Sequence, residues 1–233
     1  MRFFFAVMPI TLLVAATVLE STLIREGLQM QALTGTKLDL WQSETQTDCY
    51  LIHSGIGMVN MAYALGQVQA QYEVGLAINF GIAGTFDRTV ALGSVVEVVA
   101  DCFAELGADS PTGPLWLEQM GFPLFAVEGQ AFYNELYNPS PSDSVYPKMN
   151  AITVNRVGGT SEGITQRLAE WPRDLETMEG AAFFMAFLRS RTPFYAFRGI
   201  SNYVEPRNRD NWQIGPALRN VQQAVLALLP DFE

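Results

Sequence analysis

The residues best suited to chemistry gather near the C-terminal end, where Phe197 to Trp212 reads FRGISNYVEPRNRDNW. An apolar strand predicted over Pro193 to Ile200 delivers Ser201, Asn202 and a charged segment at its C-terminal tip, where open α/β sheets usually put their ligands. Just upstream, Leu175 to Gly180 reads LETMEG and leads into an apolar helix predicted over Ala181 to Leu188. A carboxylate set between an apolar strand and an apolar helix is held against a pocket wall. Glu179 is therefore the first candidate for binding ligand hydroxyls.

Those residues need a scaffold, and alternating apolar runs and helical periods supply one. Leu12 to Ala16 reads as a buried first strand, followed by a helix over Leu19 to Leu33 with Glu20 in its first turn. Strands are predicted at Lys37 to Trp41 and Cys49 to His53, the second running into the glycine-rich HSGIGMVN turn that opens a helix over Met58 to Tyr72. Gly55 and Gly57 free the backbone to approach a ligand at that helix N-terminus, although such a turn serves equally as a plain connector. Leu76 to Phe80 is a short strand leading to a second glycine-rich loop, Gly81 to Asp87, and Val95 to Ala104 closes the first half of the sheet. Further strands and helices follow at Ala151 to Val157, Ser161 to Trp171, Phe194 to Ile200 and Ile214 to Leu229. Residues 106–150, rich in proline and aromatics, show no sustained period and read as an irregular lid or interface insertion. Strands alternate with helices throughout, which predicts a three-layer α/β domain with a composite pocket at its strand tips.

Length and composition narrow the options. A chain of 233 residues suits one α/β domain over its whole length, and 49% hydrophobic against 16% charged residues excludes wholesale disorder. The net charge of -10 makes nucleic acid and anionic membrane surfaces poor partners. Cys49 and Cys102 sit on separate apolar runs without metal-ligand spacing, as buried thiols of a cytoplasmic protein would. The single histidine, His53, argues against a His-based metal site or a Ser-His-Asp triad and reads as a strand-end residue bonded to its neighbours. No metal or cofactor is called for. The N-terminal MRFFFAVMPITLLVAATVLE has features of a signal peptide, but Pro9 interrupts the apolar run and the following residues fit the first strand. Residues 1–9 then form an extension, or Met8 lies near the natural start.

Five motifs in order, AATVLE at Ala15 to Glu20, SGIGMVN at Ser54 to Asn60, NFGIAG at Asn79 to Gly84, TMEG at Thr177 to Gly180 and the ISN-to-NRDNW segment, resemble those of the nucleoside phosphorylase and nucleosidase superfamily. Within it the chain is most similar to the futalosine hydrolases, nucleosidases of a menaquinone route that are related to the methylthioadenosine/adenosylhomocysteine nucleosidases. The resemblance implies a mixed central sheet flanked by helices, homo-oligomeric subunits, and cleavage of a purine N-ribosidic bond. It places Glu20 where nucleosidases activate water, with Met178 and Glu179 beneath the ribose and its hydroxyls. Ile82, Ala83 and Gly84 then line the site, and Ser201 and Asn202 face the purine. Glu20 is also suited to a plain helix-first-turn role favouring the dipole.

Two departures from the family pattern sharpen the expectation. Asn202 stands where adenine-specific relatives have an aspartate. An amide can donate to a 6-oxo oxygen and accept from a protonated N7, which predicts hypoxanthine over adenine as the released base. Ile82 replaces the hydroxyl residue common in relatives, and of the arginines only Arg25 and Arg88 fall near the corresponding turns, so hydrolysis is favoured over phosphorolysis. Arg207 and Arg209 lie past the tip, where they suit either a salt-bridged loop or the carboxylate of a benzoate-type substrate tail. A 6-oxopurine nucleoside phosphorylase, a methylthioadenosine-type nucleosidase and a nucleoside-binding module without turnover are the competing readings.

Overall fold

Along successive strands, neighbouring apolar residues pack into two different clusters. In the computed structural model, which describes residues 8–229, Leu12 and Val14 of β1 (Ile10–Ala15) join one cluster while Leu13 and Ala15 join the other. A period of two with both faces buried requires a sheet covered on both sides. The same division recurs in β14 (Phe194–Tyr203), where Phe194, Ala196 and Ile200 face one cluster and Phe197 the other. One cover is α2 (Met58–Gln69) with α5 (Gly180–Ser190), and the other is α1 (Thr22–Gly27) with α6 (Ile214–Leu228). This is the expected three-layer α/β arrangement.

The central sheet adds β2 (Met30–Ala32), β3 (Leu40–Ser43), β4 (Cys49–His53), β5 (Val74–Thr85), β6 (Val95–Cys102), β11 (Glu135–Tyr137), β12 (Lys148–Thr153) and β13 (Leu175–Thr177). Its order is β11-β6-β12-β13-β5-β1-β4-β3-β2, with β14 paired to both β5 and β6. The sheet is mixed: β1 runs parallel to β4 and β5, and β14 parallel to β5, whereas β13 meets β5 and β14 meets β6 antiparallel. The 12-residue β5 is thus bonded to three partners and forms the spine of the sheet.

Several expectations change. The helix predicted over Leu19 to Leu33 is a 3-10 turn, Val18–Ser21, then α1, then the edge strand β2. Gln29 adopts φ +48, a left-handed conformation that ends the helix and lets Met30–Ala32 pair with β3. The Lys37 to Trp41 strand begins only at Leu40. The supposed loop at Gly81 is the second half of β5, and the polar pair Ser201 and Asn202, expected beyond the strand tip, lies within β14. Residues 138–147 carry no helix or strand, as expected of an irregular insertion, but residues 107–137 are largely regular where no period was legible. They form the hairpins β7 (Gly107–Ser110) with β8 (Gly113–Trp116) and β9 (Phe125–Val127) with β10 (Gln130–Phe132), a short helix α3 (Leu117–Met120), and β11 on the sheet edge. Of the predicted extension over residues 1–9, residues 1–7 lie outside the described residues.

Candidate active site

Two glycines of β5 set the site by what they lack. A Cβ at Gly81 would lie 2.6 Å from Glu20 Oε1, and one at Gly84 would lie 3.0 Å from Asn202 Nδ2 and 2.9 Å from Val204 Cγ2. The bare backbone lets both candidate side chains settle onto the same strand. Glu20 is clamped from two directions: Thr17 N donates to Oε2 at 2.9 Å, the reciprocal half of a capping arrangement, and Ile82 N approaches Oε1 at 3.4 Å. The Ile82 side chain is apolar, so at this position only its N–H addresses the carboxylate. Glu20 remains half-buried rather than sealed.

Glu179 caps the approach from the other cover. It precedes α5, and its Oε1 accepts from Gly57 N at 2.7 Å. The N–H that the glycine-rich SGIG turn was expected to offer a ligand is therefore used to orient Glu179. Gly55 and Gly57, at φ +84 and +93, supply the left-handed backbone that this turn needs. Burial pushes the Glu179 carboxyl above the usual carboxylate range, opposed by Gly57 N–H and the Arg198 charge and reinforced by Glu20. Met178 is half-buried beside it.

Between these carboxylates stands a cation that the sequence reading passed over. Arg198 is 4% exposed in the middle of β14, with Nη1 donating to Phe197 O at 2.9 Å and Nη2 to Asn79 Oδ1, while Asn79 Nδ2 donates to Val14 O at 2.9 Å. Its charge is felt at Glu179 and Asp101, and burial lowers its own affinity for the proton while Asp101, Glu179 and Glu20 raise it. Asp101, at the end of β6, accepts from Thr153 Oγ1 at 2.8 Å and from Cys102 N at 2.7 Å through Oδ1, while Oδ2 has no partner. Burial pushes this carboxyl up to about 7. It lies so close under α5 that a Cβ on Gly180 would come within 2.0 Å of Oδ2. A lone arginine inside an apolar strand is the signal that could have found this cluster, because a buried guanidinium requires carboxyl partners. Arg25 and Arg88, the arginines singled out from sequence, are engaged elsewhere. Arg25 Nε donates to Ser21 Oγ at 3.3 Å, and Arg88 pairs with Glu205 at 2.8 Å.

The Asn202 side chain is oriented by its own strand. The β5–β14 register shifts between Ile200 and Asn202, a bulge that re-aims the side chain. Ser201 Oγ lies 3.2 Å from Ala83 O and 2.8 Å from Asn202 Oδ1, and Asn202 Nδ2 donates to Tyr203 O at 2.9 Å. These contacts fix which amide atom is oxygen and leave one N–H and one oxygen lone pair free. Glu20, Ile82 and Glu179 are thus joined around Arg198, and Ala83, Gly84, Ser201 and Asn202 group one step further along β5. Arg207 lies apart and exposed, its backbone bonded to Gly159 O at 3.2 Å and its guanidinium 5.3 Å from the Trp212 ring.

His53 departs from expectation in one respect: it does lie in a serine-histidine-aspartate chain, between Ser21 Oγ at 2.7 Å and Asp39 Oδ2 at 2.9 Å. Ser21 is 0% exposed, so its hydroxyl is no nucleophile. A separate cavity of about 1000 Å³, lined by Trp116, Phe132, Tyr133, Trp171 and Arg191 among others, shares no residue with the site. Among the described residues no group of three or more His, Cys, Asp or Glu is arranged to hold a metal.

Chemically, carboxyl groups outnumber the buried cation here. The arrangement suits a sugar that gains positive charge and opposes a dianion such as phosphate. The model of the phosphorylase superfamily matches residues 25–230. A futalosine hydrolase of Acidothermus cellulolyticus is 32% identical over 181 residues, 76% of this chain and 74% of that protein. One of Thermus thermophilus is 29% identical over 197 residues, covering 82% and 85%. Among solved structures, a 5'-methylthioadenosine/S-adenosylhomocysteine nucleosidase of Neisseria meningitidis in complex with methylthio-immucillin-A superposes with a TM-score of 0.77 at 19% identity, covering 96% and 100% of the two chains. A futalosine hydrolase mutant of Helicobacter pylori does so with a TM-score of 0.77 at 13% identity, covering 96% and 99%.

Proposed function

Because the chain belongs to the phosphorylase superfamily and, within it, to the futalosine hydrolases, we propose that Glu20, Glu179 and Asn202 carry the hydrolysis of futalosine to hypoxanthine and the ribose-linked aromatic product. The observation that carries this reading is the clamped Glu20 carboxylate, held by Thr17 N and Ile82 N, with the buried Arg198 charge acting on both Glu20 and Glu179. Water bonds through its oxygen to C1′ and passes a proton to Glu20, while the electrons of the C1′–N9 bond leave with the purine. The ribose approaches an oxocarbenium ion, and the surrounding carboxyl groups favour that charge. Glu179 binds the ribose hydroxyls above Met178. Solvent water protonates the departing base at N7, and Glu20 returns its proton to solvent. The free N–H of Asn202 donates to the 6-oxo oxygen, its free lone pair accepts from that N7–H, and Ser201 holds the amide in that sense. Arg207 meets a carboxylate on the substrate tail.

The same reading extends to assembly and compartment. Ile56, Val59 and Tyr63 recur along one exposed face of the α2 region at 58%, 76% and 67% exposure while the opposite face packs on α5, which suits a second copy of the chain. Buried cysteines on separate strands, Cys49 on β4 and Cys102 on β6, suit the cytoplasm. Among the described residues no helix is long and apolar enough to cross a membrane.

The test is to incubate the purified protein with futalosine, inosine and methylthioadenosine, with and without phosphate, and to separate the released bases. Hypoxanthine from futalosine at a phosphate-independent rate is expected. Phosphate-dependent release would replace hydrolysis by phosphorolysis, and adenine from methylthioadenosine as the fastest product would overturn the role given to Asn202.

A further inference from the structure

Behind the turn that carries Glu20 lies a set of polar groups that the hydrolytic step does not use. His53, at the end of β4, is 7% exposed, and Ser21, adjacent to Glu20, is fully buried. The ring bridges Ser21 Oγ at 2.7 Å and the half-exposed Asp39 at 2.9 Å. Trp41 closes the set: its Nε1 donates to Asp39 Oδ1 at 2.7 Å and its ring meets His53 edge-on at 6.1 Å. Arg25 lies 5.1 Å over Trp41 and reaches Ser21 Oγ at 3.3 Å. Ser21 Oγ also stands 3.1 Å from Val18 O, at the start of the same turn.

We propose that Asp39, His53 and Ser21 form a proton-linked brace that positions Glu20 for water activation, with His53 as a positioning residue. The inference rests on the reading of Glu20 as the base. Asp39 can only accept, so Nδ1 carries a proton in both states of the ring. In the neutral ring Nε2 must then accept from Ser21, and the serine has no proton left for Val18 O. In the imidazolium Nε2 donates to Ser21 Oγ, and the serine proton swings onto Val18 O. One proton on His53 thus rewires the Val18–Ser21 turn. The groups facing the ring also couple it to the base. Burial, the largest effect, and the Arg25 charge hold His53 below its ordinary value, while Asp39 and Glu20 oppose them. The neutral ring leaves the Glu20 field intact, and the imidazolium offsets part of it.

His53 is the only histidine of the chain, so an imidazole NMR titration of tag-free protein reports this brace alone. The expected result is an Nδ1–H tautomer at neutral pH and a midpoint below 6.5, moved further down in Glu20→Gln because the carboxylate charge is gone. In kinetics with futalosine, His53→Gln lowers kcat about tenfold with KM within about twofold, and it loses the acid limb whose midpoint matches the ring titration. Ser21→Ala lowers kcat similarly while the ring still titrates. A midpoint indifferent to Glu20→Gln, or a His53→Gln enzyme with the parental kcat and pH profile, overturns the brace. Should a variant fail to fold, the titrations of the parent and Glu20→Gln decide. Absence of turnover by the parent would refute the hydrolase reading alone, and the ring titration would still judge the brace.

Discussion

Replacing Asp101 with asparagine keeps the shape of the site's floor and removes one ionisable group. Asp101 is 1% exposed, its Oδ2 has no partner, and Arg198 is the cation that reaches it. Burial moves its carboxyl from 3.8 to about 7. That displacement is worth about 4 kcal/mol. The sign follows from the proton count: between these two values the folded chain keeps a proton that the unfolded chain has released. The stabilising contribution is therefore complete at acid pH and is lost as pH rises through about 7. Between pH 5 and pH 8 the loss is about 3 kcal/mol, the part of that interval over which only the folded state is protonated. Urea unfolding of the parent and Asp101→Asn at both pH values measures it, and contributions from groups not coupled to Asp101, such as His53 and Glu176, cancel in the comparison. The parent should lose about 3 kcal/mol more than the variant. Parallel pH profiles would refute the reasoning, because they would mean that Asp101 ionises in the fold without cost.

Gly81→Ala should push the Glu20 carboxylate off β5, since the added Cβ would lie 2.6 Å from Oε1, and lower kcat about 100-fold with little change in the melting temperature, read by steady-state kinetics beside thermal unfolding. Asn202→Asp should shift the ratio of hypoxanthine to adenine release toward adenine by roughly 10- to 100-fold, the equivalent of one mispaired buried group, as measured by competition between inosine and adenosine substrates. Arg198→Met should cost about 3–5 kcal/mol in denaturant unfolding, because it leaves the carboxyls around it without their buried cation.

Much of this was legible in the residues, and the failures share a cause. The alternation of Leu12 to Ala15 and the apolar run ending at Ile200 announce strands because burial of both faces leaves a local signature. Glu179 and Asn202 stand out because each follows such a run. Gly81 was misread as loop, since a glycine in sequence does not reveal whether it serves a turn or a close approach. Here the deciding partner, Glu20, is 61 positions away. Arg198 and Asp101 sit inside runs whose period correctly predicts strands, and periodicity is blind to whether a buried face is oily or lined with charge. The Leu19 to Leu33 helix failed for a local reason, as Gln29 gave no warning of its positive φ. The 106–150 hairpins have strands of three or four residues, too short for a period to register.

The position of β14 has a consequence for the order in which the molecule is made. It pairs with β5 on one side and with β6 on the other, yet it is synthesised after both. Until residue 203 leaves the ribosome, two strands of the sheet wait with open edges, and neither Arg198 nor Asn202 is in place. The nascent chain therefore lacks the proposed site and is most exposed to edge-to-edge association during that interval. Insertion of β14 closes the sheet and assembles the site in one event.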